Sequence, residues 1–215
     1  MRINKKPEIL TLTVISNITT ELYFTEYLKL LFEERNIVIN VEYISYENIL
    51  NPATFQMIKT ADYIIVWLNF DCLYPNLNVE YTNNNADVLE ASKTICYNLY
   101  SKVKDLTSAP VVWLSFEDYY SPRNYFLGNI YSDTLIDTLN KYLTDNLIKA
   151  DIVIDTKRII AQLGIEDSYN NKTKYRWNAP YSKQLIKYVA DDIYKFYLNY
   201  NGITPKCIVL DCDNV

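Results

Sequence analysis

Tyr63-Ile64-Ile65-Val66-Trp67-Leu68 is an apolar run without a single charged residue. A strand with one wet face alternates apolar and polar side chains. One that is apolar at every position is covered on both faces, as in a central strand of a parallel sheet with helices above and below. Ile9 to Ile15 reads as an earlier strand closing on the polar turn Ser16-Asn17-Ile18-Thr19-Thr20. After it, Leu22, Tyr23, Tyr27, Leu28, Leu30 and Leu31 repeat at helical spacing to about Arg35. Ile37 to Ile44 is a second strand, and Asn51-Pro52 opens a short helix that ends near Thr60.

Beyond the central run the alternation continues. A polar stretch after Tyr74-Pro75 leads into a long helix through about Val103, and Pro110 to Leu114 is a fourth strand. The loop Ser115 to Asn129 precedes a helix from about Asp133 to Ile148. Asp151 to Ile154 is a fifth strand, and Thr156 to Leu163 is a helix ended by Gly164, the residue type that best tolerates a left-handed cap. Strand-helix repetition with right-handed crossovers predicts a doubly wound, three-layer α/β/α sandwich with a mostly parallel sheet, of flavodoxin-like or SGNH-hydrolase-like type. Asp167 to Pro180 breaks the pattern and reads as a loop. A last helix from Tyr181 to about Tyr200 carries the chain to a final apolar strand.

The chain has 215 residues, enough for one sizeable core plus the start of a second domain. We expect the first domain over residues 1–200 and the opening of another over residues 201–215, with the sequence ending inside a motif. The net charge of −5 argues against a dedicated nucleic-acid partner, although Asp167–Pro180 interleaves basic and aromatic residues. No apolar run reaches the twenty or so residues that span a bilayer, and the polar start Met1 to Glu8 does not resemble a secretory signal. A cytoplasmic protein is expected. The four cysteines, Cys72, Cys96, Cys207 and Cys212, lack metal-site or redox spacing and read as reduced thiols. The chain contains no histidine, which removes Ser-His-Asp, Cys-His and His-ligated metal mechanisms from these residues.

Two resemblances attach chemistry to this frame. Lys206-Cys207-Ile208-Val209-Leu210-Asp211-Cys212-Asp213-Asn214-Val215 resembles the first motif of the haloacid dehalogenase (HAD) superfamily, a strand running into Asp-x-Asp-x-Thr/Val. The resemblance implies Asp211 as the nucleophile that forms an aspartyl-phosphate and Asp213 as the general acid/base. It also implies a Mg2+ ion at the pair and further motifs downstream. The isolated 215-residue chain is therefore expected to be inactive as a phosphatase and to need no cofactor of its own.

Taken with Leu12 to Thr20, Val66-Trp67-Leu68 and Trp177-Asn178-Ala179-Pro180-Tyr181-Ser182, that motif looks like the FkbH-like proteins, HAD phosphatase subfamily IIIC. Members join an SGNH-like domain to a HAD domain. Their best-known activity is glyceryl transfer with loss of phosphate, loading a D-glyceryl unit onto an acyl carrier protein for polyketide and related biosynthesis. Expected partners are thus the downstream HAD domain and an acyl carrier protein.

The SGNH frame itself implies a crevice at the strand ends. Ser16 follows the first strand, Asn69-Phe70-Asp71 the third, and Asp155-Thr156-Lys157-Arg158 the fifth, with Arg158 where an esterase has its histidine. An arginine stays protonated and cannot accept a proton from Ser16. We expect a degenerate esterase scaffold whose Ser16, Asn17, Thr19, Asn69, Asp71, Asp155 and Arg158 line a binding crevice, with Arg158 as an anion clamp beside a helix N-terminus. A plainer reading stays open: Thr19 or Thr20 caps the helix, Ser16 and Asn17 bond the turn, and Arg158 is solvated. An SGNH-type esterase and a free-standing flavodoxin-like binding module are the alternative functions.

Overall fold

The computed structural model describes residues 8–73, 85–117, 131–146 and 151–203. Five strands form one parallel sheet: β1 Glu8–Ser16, β2 Ile37–Ser45, β3 Tyr63–Trp67, β4 Val111–Leu114 and β5 Ile152–Ile154, in the spatial order β2-β1-β3-β4-β5. Helices α1 Glu21–Glu33, α2 Pro52–Thr60, α3 Phe70–Leu73, α4 Asn85–Leu106, α5 Tyr131–Asn146, α6 Thr156–Leu163, α7 Ile165–Ser168, α8 Asn171–Trp177 and α9 Lys183–Tyr200 complete the described chain.

The apolar run Tyr63–Leu68 supplies the middle strand, and all five residues of β3 are buried. Its two-residue period divides them between two cores. Tyr63, Ile65 and Trp67 face a core shared with α1, α6 and α9, whereas Ile64, Val66 and Leu68 face one shared with α2, α4 and α5. β4 divides in the same way, with Val112 and Leu114 on the first side and Val111 and Trp113 on the second. This is the three-layer α/β/α sandwich.

The layers hold because each covering helix is apolar on one stripe only. α9 buries Leu185, Ile186, Val189, Ala190, Ile193 and Tyr197 at three- and four-residue spacing, and Ser182 caps it by accepting a hydrogen bond from the Leu185 N–H at 3.1 Å. Truncating Ile193, which is 2% exposed, to alanine would cost about 2–5 kcal/mol through the cavity left between α9 and the sheet.

Sequence and structure differ at Asp167–Pro180, where a loop was expected and two short helices stand instead. Asn170 caps α8 by accepting from the N–H groups of Lys172 (3.1 Å) and Thr173 (3.3 Å), and Asn178 ends it in the left-handed region at φ 51°. The last helix begins at Lys183 rather than Tyr181. Tyr181 instead pairs with Tyr169 in an isolated antiparallel bridge.

Candidate functional site

The order of strands reverses at the β1/β3 pair, so the chain leaves β1 toward one side of the sheet and β3 toward the other. The crevice of an open parallel sheet forms between such diverging loops. Ser16, Asn17, Thr19 and Asn69 all lie there. The Ser16, Asn17 and Asn69 side chains are held by backbone groups and by neighbours outside this set. The Ser16 hydroxyl donates to the Ile18 carbonyl at 3.0 Å and accepts from the Ile18 N–H at 3.2 Å, so both of its functions are occupied inside a single turn. The Asn17 amide makes a reciprocal pair with the Asn69 backbone: its Nδ2 donates to the Asn69 carbonyl (2.9 Å), and its Oδ1 accepts from the Asn69 N–H (2.7 Å). Thr20 stands at the α1 N-cap without a side-chain cap bond. The Thr19 N–H donates to the Asn178 carbonyl at 2.9 Å.

Two residues outside the expected set complete the arrangement. Glu117 follows β4, and Tyr181 precedes α9; both are buried. The Tyr181 hydroxyl donates to Glu117 Oε1, and Asn69 Nδ2 lies 3.3 Å from the Tyr181 oxygen and 3.4 Å from the same Glu117 oxygen. Burial, and then the neighbouring Glu117 charge, hold the Tyr181 phenol well above its ordinary range, so it remains a donor at any physiological pH. The Tyr181 ring stacks on Trp67 at 5.2 Å between centroids with 21° between planes.

Asn178 ties the far side. Its Nδ2 donates to the Asn17 carbonyl at 2.9 Å, and its Oδ1 accepts from the Cys72 thiol at 3.4 Å. Asn178 and Tyr181 both belong to the Trp177–Ser182 stretch, so the sequence marked their segment without marking their roles. Glu117 carried one available signal: it follows a central strand, as Asn17 and Asn69 do.

The fifth-strand residues lie apart from this network. Asp155 caps α6 by accepting from the Arg158 N–H at 3.2 Å. The Arg158 guanidinium, 63% exposed, donates to Asp192 of α9 at 3.1 Å. Asp71 lies in α3, and its side chain is outside the described set, as are Asp211 and Asp213. Among the described residues no group of three or more Cys, Asp or Glu side chains is placed to hold a metal ion. A polar cavity of about 210 Å3 opens beside the turn, bordered by Asn17, Thr19, Glu21, Tyr43 and Asn178. What remains is a recess with a catalytic outline, a serine closed in its own turn, and an arginine paired elsewhere.

This architecture is shared with solved structures. It is similar to the N-terminal part of the protein BF1531 from Bacteroides fragilis, which contains a phosphatase domain and is complexed with Mg. The TM-score is 0.75 at 15% identity, over 97% of this chain and 56% of that one. A lipase from a goat rumen metagenome matches with a TM-score of 0.65 at 16% identity, over 87% of this chain and 97% of the lipase. A salicylyl-acyltransferase from a tetracycline biosynthetic pathway matches at 0.50 and 13% identity, over 92% and 56%. The chain thus spans little more than half the BF1531 chain, and the likeness at these identities is one of fold: an SGNH-hydrolase-like sandwich. No family model matches the chain, and no curated protein matches it. No helix among the described residues is long and apolar enough to cross a membrane.

Proposed function

We propose that this chain is the N-terminal SGNH-like domain of an FkbH-like phosphatase, a catalytically silent scaffold that carries the first strand of a HAD domain. The observation that carries the reading is the pairing of an Asp211-Cys212-Asp213 motif with a fold like that of the N-terminal part of BF1531, which contains a phosphatase domain. In the whole protein Asp211 attacks phosphorus and Asp213 moves the proton of the leaving group. Bound at that pair, Mg2+ would supply charge neutralisation. Glyceryl transfer to an acyl carrier protein in the cytoplasm, and docking of that carrier on this domain, belong to the same proposal.

The docking element we favour is α8. It holds Lys172, Lys174 and Arg176 within seven residues and no acid, in a chain of net charge −5. Tyr175 is 82% exposed and Trp177 56%. Lys183, at the start of α9 with its ammonium 5.2 Å from the Tyr23 ring centroid, is a further candidate cation. An acidic carrier would meet repulsion over most of the domain and attraction at this helix.

The test uses a polypeptide that continues through the domain after Val215. Mg2+-dependent hydrolysis of p-nitrophenyl phosphate is expected, lost in Asp211→Asn and unchanged in Ser16→Ala. Turnover that survives Asp211→Asn contradicts the proposal.

A further inference from the structure

β2 lies at one end of the sheet, and among the described residues no strand pairs with its outer side. Such an edge presents a row of unpaired N–H and C=O groups, which proteins guard with lysines, prolines, bulges or a very short strand. The opposite edge, β5, is guarded by shortness, at three residues. β2 has none of these guards. It runs for nine residues, Ile37-Val38-Ile39-Asn40-Val41-Glu42-Tyr43-Ile44-Ser45, with no lysine, no proline and one acid, and its pairing with β1 proceeds residue by residue without a bulge. Val38 is 49% exposed on this strand, beside Ile9 of β1 at 68%.

The register shows which main-chain groups point outward. Both backbone groups of Thr11 turn toward the β3 side, its N–H donating to the Asp62 carboxylate at 2.7 Å and its carbonyl accepting from the Asp62 N–H at 2.8 Å. The two-residue alternation therefore turns Leu10 and Leu12 toward β2, where a parallel neighbour bonds through the residues flanking the one opposite. Leu10 stands opposite Ile39, so Val38 and Asn40 bond back to β1, and Ile39, Val41 and Tyr43 hold their N–H and C=O groups outward. A second copy of β2 matches this edge when it runs antiparallel about a two-fold axis at Val41. Val41 then meets Val41 and Ile39 meets Tyr43 in pairs that exchange main-chain bonds, while Asn40 meets Glu42 in the pairs where side chains lie closest. The exposed Asn40 amide is weakly engaged in its own chain, where Nδ2 lies 3.4 Å from Glu42 Oε1. An amide opposite a carboxylate on both sides of the axis is a complementary pair, and no like charges meet.

We propose that β2 is a dimerisation edge: two copies of this chain join antiparallel along Ile37–Ser45 and merge their five-stranded sheets into one. The two-fold axis pairs the whole strand and leaves neither copy with an open β2 edge. Because the copies run antiparallel, their crevices open at opposite ends of the joined sheet, and both stay accessible.

The experiment is sedimentation equilibrium of the 215-residue chain over about 1–200 μM, where twice its mass of 25.3 kDa is expected at the upper end. Val41→Pro deletes an outward N–H and leaves the ladder to β1 whole, the one arrangement in which a strand accepts proline, and should weaken dimerisation at least about tenfold. Asn40→Glu sets carboxylates opposite each other and should weaken it about tenfold at low salt and less at high salt. Asn40→Lys sets an ammonium opposite Glu42 and should strengthen it. These two substitutions of an exposed side chain decide the matter should Val41→Pro fail to fold. A mass of 25.3 kDa at every concentration, a dimer indifferent to Val41→Pro and Asn40→Glu, or the two Asn40 substitutions acting in the same direction overturns the proposal.

Discussion

The crevice at the ends of β1 and β3 and the cavity of about 270 Å3 between α4 and α5 contrast in their linings. The crevice is rich in polar side chains, and four of them are engaged: Ser16 with Ile18, Asn17 with Asn69, Asn69 with Glu117 and Tyr181, Asn178 with Asn17. The cavity combines the rings of Tyr97, Tyr100 and Tyr142 with Ser101, Lys104, Asp105 and Asn146, and its Lys104 ammonium is engaged with Asp151. Position in a fold marks where chemistry is possible, whereas the state of each polar atom decides whether it is free to react or bind. By that measure Ser16, Asn17 and Asn69 are engaged within the fold, while the Thr20 hydroxyl of the same turn has no partner.

The most damaging way to break the contrast is to remove the residue on which the crevice network converges. Asn69→Ala deletes the acceptor of the Cys72 N–H and the amide shared by Glu117 and Tyr181, and should destabilise the fold by about 2–3 kcal/mol in urea unfolding. If the crevice were a solvated binding site, the loss would be under about 0.5 kcal/mol, as for ordinary surface substitutions.

Tyr181→Phe should cost about 1–2 kcal/mol, because Glu117 is then left buried with one donor fewer. It also sharpens a pH prediction. A phenol whose pKa is raised on folding holds its proton in the native chain after the unfolded chain has released it, so stability is fully present below pH 10 and falls as pH rises above it. Burial raises Tyr181, Tyr63 and Tyr197 in this way, and lifts Tyr43 to about 12. Urea midpoints should therefore decline from pH 10 upward, less steeply in Tyr181→Phe than in the parent. A midpoint that is flat from pH 9 to 11.5 would remove the buried-phenol account.

The smallest effect belongs to Arg158→Ala. Its partner Asp192 also accepts from Lys195 at 2.8 Å, and the guanidinium is largely in water, so the loss should stay below about 0.5 kcal/mol. A loss several times larger would mean that Arg158 works in the site rather than on the surface.

The sheet could be read from the sequence because burial leaves a period. β3 is apolar at every position as it is covered on both faces, and α9 repeats at three and four as it is covered on one. α8 escaped because none of its seven residues is buried, which leaves the pattern Asn-Lys-Thr-Lys-Tyr-Arg-Trp with no apolar stripe to detect. Its two asparagine caps were the remaining signals. The crevice was legible as a location and illegible as a network: the Tyr181–Glu117 bond joins residues 64 apart and the Asn178–Asn17 bond residues 161 apart, pairings that exist only once the sheet order is known. That Ser16 bonds its own turn was legible as the plainer reading of a serine in a polar turn, whereas Asn17 bonds the Asn69 backbone 52 residues away rather than its turn. Asp211 and Asp213 lie outside the described residues, and their role rests on the motif alone.

The central claim, that Ser16 is a structural hydroxyl in an esterase-shaped frame, is tested most directly by treating the chain with a fluorophosphonate probe and measuring its intact mass. Both functions of that hydroxyl are taken up by Ile18, and the chain has no histidine to act as its base, so the mass should remain that of the untreated protein. A single stoichiometric adduct that disappears in Ser16→Ala would contradict the account.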